Sequence, residues 1–156
     1  MLTLFLRREH EYDEALGYMQ DLTAKYPRNR LFPTEIANLD RAAGRLPEAE
    51  AMYHKVWQNG REDKYGNLHY ELAAWGLGEL LRSKKDLSAA AYELVNQAPN
   101  PDPDILQKAN LAAGEMYDLL QKRDLAMKKY ETVLAGNANT GPADQASRYI
   151  REAYRE

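Results

Sequence analysis

The chain has no cysteine among its 156 residues, which excludes disulfides and thiolate metal sites. Histidine is nearly as scarce. His10, His54 and His69 are the only three, and no two stand at the four-residue helical spacing that aims a pair of imidazoles at one metal. No apolar run approaches the ~20 residues that span a bilayer. The opening segment from Met1 to Leu6 is apolar but stops at Arg7-Arg8, without the charged, apolar, small-residue order of a secretory signal. Neither sign of charge dominates: 21 Lys and Arg against 24 Asp and Glu leave a net charge of −3 and a pI near 5.7. Bulk charge therefore draws the chain to neither nucleic acid nor an anionic lipid surface. No segment alternates apolar and polar residues between hairpin turns, so a sheet is not expected. The nucleophile-elbow serine, the phosphate-cradling glycine loop and the dinucleotide fingerprint are missing too. These absences argue against an enzyme, and no metal or cofactor is expected.

What is present is helical and repeats. Ala15, Ala49, Ala90 and Ala126 each follow a polar turn and precede a large apolar residue four positions on: Met19, Tyr53, Leu94 and Tyr130. The intervals are 34, 41 and 36 residues, and a recurrence near 34 is the signature of a helix–turn–helix array. In the first unit Ala15, Tyr18, Met19, Leu22 and Tyr26 recur at helical spacing, and Pro27 ends the run. In the second, Gly44 is placed to close one helix and Pro47 to open the next, whose apolar face is Ala49, Met52, Tyr53 and Val56. The segment from Gly60 to Gly66 reads as a longer connection. The third unit carries Leu72, Trp75, Leu77, Gly78 and Leu81, then Ala90, Leu94 and Val95, with Asp86 expected as the helix cap. Asp102-Pro103 reads as cap and first residue of the fourth unit, which carries Ala109, Ala113, Gly114, Tyr117 and Leu120, then Ala126, Tyr130 and Val133. Pro142 opens a last helix with Ala143, Ala146, Ile150 and Ala153 on one side, the composition of a cap over the open end of a stack.

Leu77-Gly78, Ala113-Gly114 with Tyr117, the four alanine pairs and Pro27 together resemble the tetratricopeptide repeat family, over nearly the whole chain. The second unit departs from the pattern, with Ile36-Ala37 for leucine–glycine and Asp40 for the tyrosine. Trp75 stands one position late. The resemblance implies an all-α fold: a right-handed superhelical stack of antiparallel helix pairs, an α-solenoid. It implies one domain over 1–156, with repeats at about 1–29, 30–63, 67–103 and 104–139 and a capping helix at about 142–155. Counted back from Ala15, the first helix lacks its opening residues. The chain thus reads either as the C-terminal part of a longer array, leaving Leu2, Leu4 and Phe5 for self-association, or as a short natural start.

The family's concave face is built from first-helix residues not used in packing. By register these include Leu4, Arg7, Asn38, Arg41, Trp75, Glu79, Arg82, Lys108, Leu111 and Glu115. Arg7, Arg41 and Arg82 share one slot, and Asp118 fills it in the fourth unit. A ladder of guanidinium groups would grip carboxylates of an acidic partner, with Trp75 as an apolar anchor. The alternative is internal pairing of the arginines with Glu35, Glu79 or Asp118, and Trp75 as core between repeats. The carboxylate clamp of the family's chaperone-tail binders is not matched: Thr34, Glu35, Asn38, Trp75, Gly76 and Glu79 stand at its positions, and only Asn38 fits. Tyr18, Tyr53, Tyr117 and Tyr130 fall on core registers, whereas Tyr65 and Tyr70 with His69 form a second candidate contact patch. The expected function is a non-enzymatic scaffold that binds a protein or peptide in its groove. The alternatives are a dimerisation or spacer module and, against the acidic pI, an RNA-binding repeat. Nothing in the sequence indicates a compartment.

Overall fold

A computed structural model of the chain describes residues 2–27, 29–62 and 70–156, with side chains from His10 onward. Among the described residues lie eight α-helices and no strand: α1 (Leu2–Lys25), α2 (Leu31–Ala42), α3 (Leu46–Glu62), α4 (Glu71–Leu80), α5 (Lys85–Leu94), α6 (Pro103–Leu119), α7 (Arg123–Ala135) and α8 (Gly141–Arg151). The chain divides into two compact units, residues 1–76 and 77–156, the division falling inside α4. In the first unit α1 packs on α2 and α2 on α3. In the second, α5 packs on α6, α6 on α7, and α8 lies against both α6 and α7. No helix among the described residues is long and apolar enough to cross a membrane.

Local chemistry accounts for the helix ends. The Asp102 carboxylate accepts the amides of Asp104 (2.8 Å) and Ile105 (3.4 Å) ahead of Pro103, and the Thr140 hydroxyl accepts the Ala143 amide (3.2 Å) ahead of Pro142. Asp86 is not a cap. It sits within the first turn of α5, because the Ser88 amide already bonds the Lys84 carbonyl (2.9 Å) and so starts the helix earlier. Two hairpins use one and the same turn. After α2 the Gly44 amide bonds the Arg41 carbonyl and the Arg45 amide reaches back to Asp40. After α6 the Gln121 amide bonds the Asp118 carbonyl and the Lys122 amide reaches back to Tyr117. This pair of bonds needs a left-handed residue, supplied by Gly44 at φ 82° and by Gln121 at φ 62°.

Three tyrosines carry the packing. Tyr53, Tyr92 and Tyr130 have no exposed surface, and their rings lie where glycines leave room: Gly76, Gly78 and Gly114. Four residues before each stands a fully buried small residue, Ala49, Ser88 or Ala126. The third unit's register therefore differs from the expected one. Ala90 is exposed and Leu94 half-buried, while Ser88 and Tyr92 hold the core places. Serine serves there because its hydroxyl donates to the Gly78 carbonyl (2.7 Å), leaving no unmet polar group in the contact.

Further differences follow from packing. Tyr18 is 63 % exposed and Tyr26 is exposed as well, because α1 rests on α2 along a narrow stripe that half-buries Ala15, Met19 and Leu22. The expected connection beginning at Gly60 starts later, since α3 runs to Glu62 and Gly60 accommodates the Tyr70 ring. Tyr70 is buried against Trp57, ring centroids 4.9 Å apart, and is not an exposed contact. Tyr65 and His69 lie outside the described residues. Arg30 is buried and ties the first unit together, donating to the carbonyls of Pro27 (2.9 Å) and Asn59 (3.2 Å).

A methyl group added at Gly114 would stand 2.5 Å from the Tyr130 ring, so Gly114→Ala should destabilise the chain by about 1–3 kcal/mol. Gly17, inside α1 with nothing within 4 Å of an added Cβ, is the control, and Gly17→Ala should stabilise by about 0.5–1 kcal/mol. Urea unfolding followed by circular dichroism reads both. Gln121→Gly should raise stability by about 1 kcal/mol in the same assay, by removing the strain of a left-handed glutamine.

Candidate functional site

The polar ends of the buried tyrosines organise the surface. Each hydroxyl donates to a group on the preceding helix: Tyr53 to the Asn38 amide oxygen, Tyr92 to Glu79 Oε1 (2.5 Å) and Tyr130 to Asp118 Oδ2 (2.6 Å). An arginine attends each. Arg41 lies 5.9 Å from the Tyr53 ring centroid, Arg123 lies 6.0 Å from that of Tyr130, and Arg82 Nη1 donates to the Tyr92 hydroxyl (3.2 Å). Burial first, and the neighbouring carboxylate second, raise the pKa of Tyr92 and of Tyr130, so both keep their protons and remain donors.

In the second unit this arrangement gathers a charged cluster. Arg82 stands 3.9 Å from Glu79 and 4.0 Å from Glu115, joining α4 to α6. Arg82 and Glu79 side chains are each 34 % exposed, and Glu115 is 13 % exposed. Burial pushes the Glu115 carboxyl up to about 7, against the pull of Arg82 and with a further push from Glu79. Glu115 also acts on Tyr149 of α8, whose pKa is raised by burial and then by that charge. Glu79, Arg82 and Glu115 thus stand together, and Tyr149 is near enough to feel the Glu115 charge.

A second knot closes the end of α8. Asp118, with 1 % of its side chain exposed, takes both contacts of Arg123 Nη1 (3.0 and 2.9 Å). Arg123 Nη2 donates to the carbonyls of Tyr149 (2.5 Å) and Ile150 (2.9 Å). In a longer helix those carbonyls would receive the amides of residues 153 and 154. The Tyr154 amide turns to Asp118 Oδ2 instead (3.0 Å). The helix expected to reach about residue 155 therefore stops at Arg151, and Ala153 is not on its apolar side.

The expected groove residues fall as follows. The Arg7 and Leu4 side chains lie outside the described residues. Asn38 is half-buried and shared between Tyr53 and Glu35. Arg41 Nη1 donates to the Gly76 carbonyl (3.2 Å). Trp75 is half-buried in the first unit. Glu79, Arg82 and Glu115 meet, while Lys108 is exposed two turns along α6, about 10 Å from Glu115 by helix geometry. Leu111 belongs to the core, packed with Ala126, Tyr130, Val133, Ala143 and Ala146. Tyr92, Arg123 and Tyr149 were not anticipated as parts of this face. The Ser88–Tyr92 spacing, equal to that of Ala49–Tyr53, was the available signal for the first. Arg123 and Tyr149 carry none.

A cleft of about 200 Å³ at the start of α6 is lined by Leu106, Gln107, Asn110, Val133 and Gly136 among others. Its Gln107 amide is fully engaged, donating to the carbonyls of Val133 (3.2 Å) and Asn137 (2.7 Å) and accepting from Thr140 Oγ1 (2.8 Å). Gln107 is a tie between α6 and the α7–α8 connection. Among the described residues no group of acids and histidines is arranged to hold a metal ion. His10 and His54 are exposed beside Glu14 and Glu50. No family model matches the chain, and no curated protein matches it. The tetratricopeptide resemblance rests on the residues that carry it.

The Glu115 carboxyl yields a pH dependence with a definite sign. Its folded pKa stands above the unfolded value of 4.5, so between pH 4.5 and about 7 the native state holds a proton that the unfolded chain has released. The contribution of this group to stability is full below 4.5 and is lost as pH rises through about 7. Glu115→Gln should therefore be more stable than the parent at pH 8, by on the order of 1–3 kcal/mol, and the gap should close towards pH 4.5. Urea midpoints of the two proteins across that range measure it.

Proposed function

We propose that the protein is a non-enzymatic interaction module of the tetratricopeptide type. On this reading its helix pairs stack in a right-handed sense as about four repeats, with α8 as the cap. A peptide or partner segment bearing acidic groups lies against the Glu79, Arg82 and Glu115 face of the second unit. The observation that carries the reading is the convergence of Glu79 of α4, Arg82 of the turn after it and Glu115 of α6, with the Tyr92 hydroxyl bonded to the first two. Arg82 is shared between two carboxylates, so an incoming acid competes with Glu115. Burial already inclines Glu115 to take a proton, and a protonated Glu115 cedes the guanidinium to the newcomer. Acidic ligands are therefore favoured, and more so below pH 7. Support from elsewhere in the chain is the recurrence of the small-residue and tyrosine pair in three hairpins, which is what a repeat array needs to keep its helices in register.

The test is a selection from a random peptide display library on the immobilised full-length chain. Recovered peptides should be rich in Asp and Glu. Their affinity should fall at least tenfold for an Arg82→Gln variant whose helicity is intact by circular dichroism. Equal binding by the folded variant would overturn the groove assignment, and a failure to enrich any peptide would favour a spacer or dimerisation role.

A further inference from the structure

After α8 the chain does not wander. Glu152 is extended, at φ −144° and ψ 122°. The Tyr154 amide donates to Asp118 Oδ2 at 3.0 Å, the Tyr154 ring meets Tyr149 edge-on at 5.2 Å, and Glu156 lies 3.9 Å from Lys85 at the start of α5. The segment thus runs from α8 past the end of α6 to the α4–α5 turn. On α6 it passes Asp118, about one turn beyond Glu115.

The groups beneath it do not depend on it for their own order. Asp118 is held by two contacts to Arg123 and by the Tyr130 hydroxyl, Arg123 by the carbonyls of Tyr149 and Ile150, and the Tyr149 ring by Tyr130 at 5.6 Å. Taking the segment away leaves a formed surface: a buried carboxylate oxygen aimed at a passing amide, an aromatic ring to pack on, and a lysine. What holds the segment is less by comparison. The Glu152 amide bonds the Arg148 carbonyl (2.9 Å), the Tyr154 amide bonds Asp118, Ala153 and Tyr154 are half-buried with one ring edge on Tyr149, and the ion pair has an acid that is 66 % exposed, a kind of pair that contributes little. Segments held in this way open locally without unfolding the rest.

We propose that Asp118, Tyr149 and Lys85 form a seat for an extended peptide that carries an aromatic residue and, two positions later, an acid, and that Glu152–Glu156 is a displaceable strap filling this seat in cis. The seat reads backbone through Asp118, the ring through Tyr149 and the acid through Lys85. The proposal rests on the peptide-groove reading and gives it a ligand pattern and a gate: the strap must leave before a partner of the same chemistry enters.

The experiment uses a fluorophore-labelled peptide, Glu-Ala-Tyr-Arg-Glu, titrated against the full chain by anisotropy. The comparison protein carries Tyr154→Gly and Glu156→Lys, which weaken the strap and leave the seat intact. The strap-weakened chain should bind at least tenfold more tightly than the unaltered one. Adding Lys85→Gln, or replacing the peptide tyrosine by glycine, should reverse that gain. Equal affinity for both chains, or binding to neither at millimolar peptide, overturns the proposal. Hydrogen exchange in the unaltered chain supplies a readout independent of any substitution: peptide should accelerate exchange of the Tyr154 amide at least tenfold, and an unchanged rate under bound peptide overturns the seat. The two readings separate cleanly. Selected acidic peptides that need Arg82 but ignore the strap keep the groove and remove the seat. Cis–trans competition at the strap that is indifferent to Arg82 does the reverse.

Discussion

The contact on which the rest depends is a fully buried tyrosine ring lying where a glycine on the facing helix leaves room. Tyr53, Tyr92 and Tyr130 each make it. A ring of that size in a close helix contact excludes even one methyl group, so packing density fixes the helix separation at those points. The hydroxyl that the ring carries inward cannot be left unmet, because an unpaired buried donor costs more than the bond itself contributes. Each hydroxyl therefore demands a polar residue on the preceding helix. Asn38, Glu79 and Asp118 answer that demand.

From this requirement the charged face follows. A carboxylate placed to receive a tyrosine hydroxyl near the surface brings a guanidinium with it, whether Arg82 for Glu79 or Arg123 for Asp118. The two cases diverge through burial alone. Asp118 is covered and its arginine donates from Nη2 to the end of α8, which ties α6, α7 and α8 together. Glu79 and Arg82 remain partly open, and the third member, Glu115, is pressed towards neutrality by burial. The same chemical motif is a clasp in one place and an accessible, titratable cluster in the other. Two of the three arginines expected as a ladder, Arg41 and Arg82, are thus engaged within the fold, in line with the alternative of internal pairing. Arg41 is on a main-chain carbonyl and Arg82 is between two acids, so under the proposed function a partner acid would have to exchange with one of them at Arg82.

Most helices were legible from spacing, and so were the ends where proline and a short polar side chain stand together, as at Asp102-Pro103 and Thr140 with Pro142. The Gly44 turn was legible because glycine announces a left-handed residue, whereas Gln121 makes the same turn without announcing it. By spacing Ala90 takes the core place and Ser88 reads as polar, because nothing along the chain shows its hydroxyl bonded to a carbonyl inside the contact. Of the candidate site, Glu79, Arg82 and Glu115 were found by register on the first helices. Leu111 shared that register but belongs to the core, since α8 covers part of α6.

By itself the sequence determined the helical character, the ends marked by Gly44, Asp102-Pro103 and Pro142, and the inward stripe of α3, α6 and α7. Those depend on interactions within four or five residues along the chain, where apolar period and caps suffice. Only the tertiary structure decided where each polar donor is satisfied. The end of α8 is the clearest instance. Its apolar period runs on to Ala153, yet Arg123, 27 residues earlier than Ile150, takes the carbonyl that the Tyr154 amide would have used, and Asp118 takes the amide. A competition between a local helical bond and a buried ion pair from another helix is settled by which groups meet in space, and no spacing along the chain records that meeting.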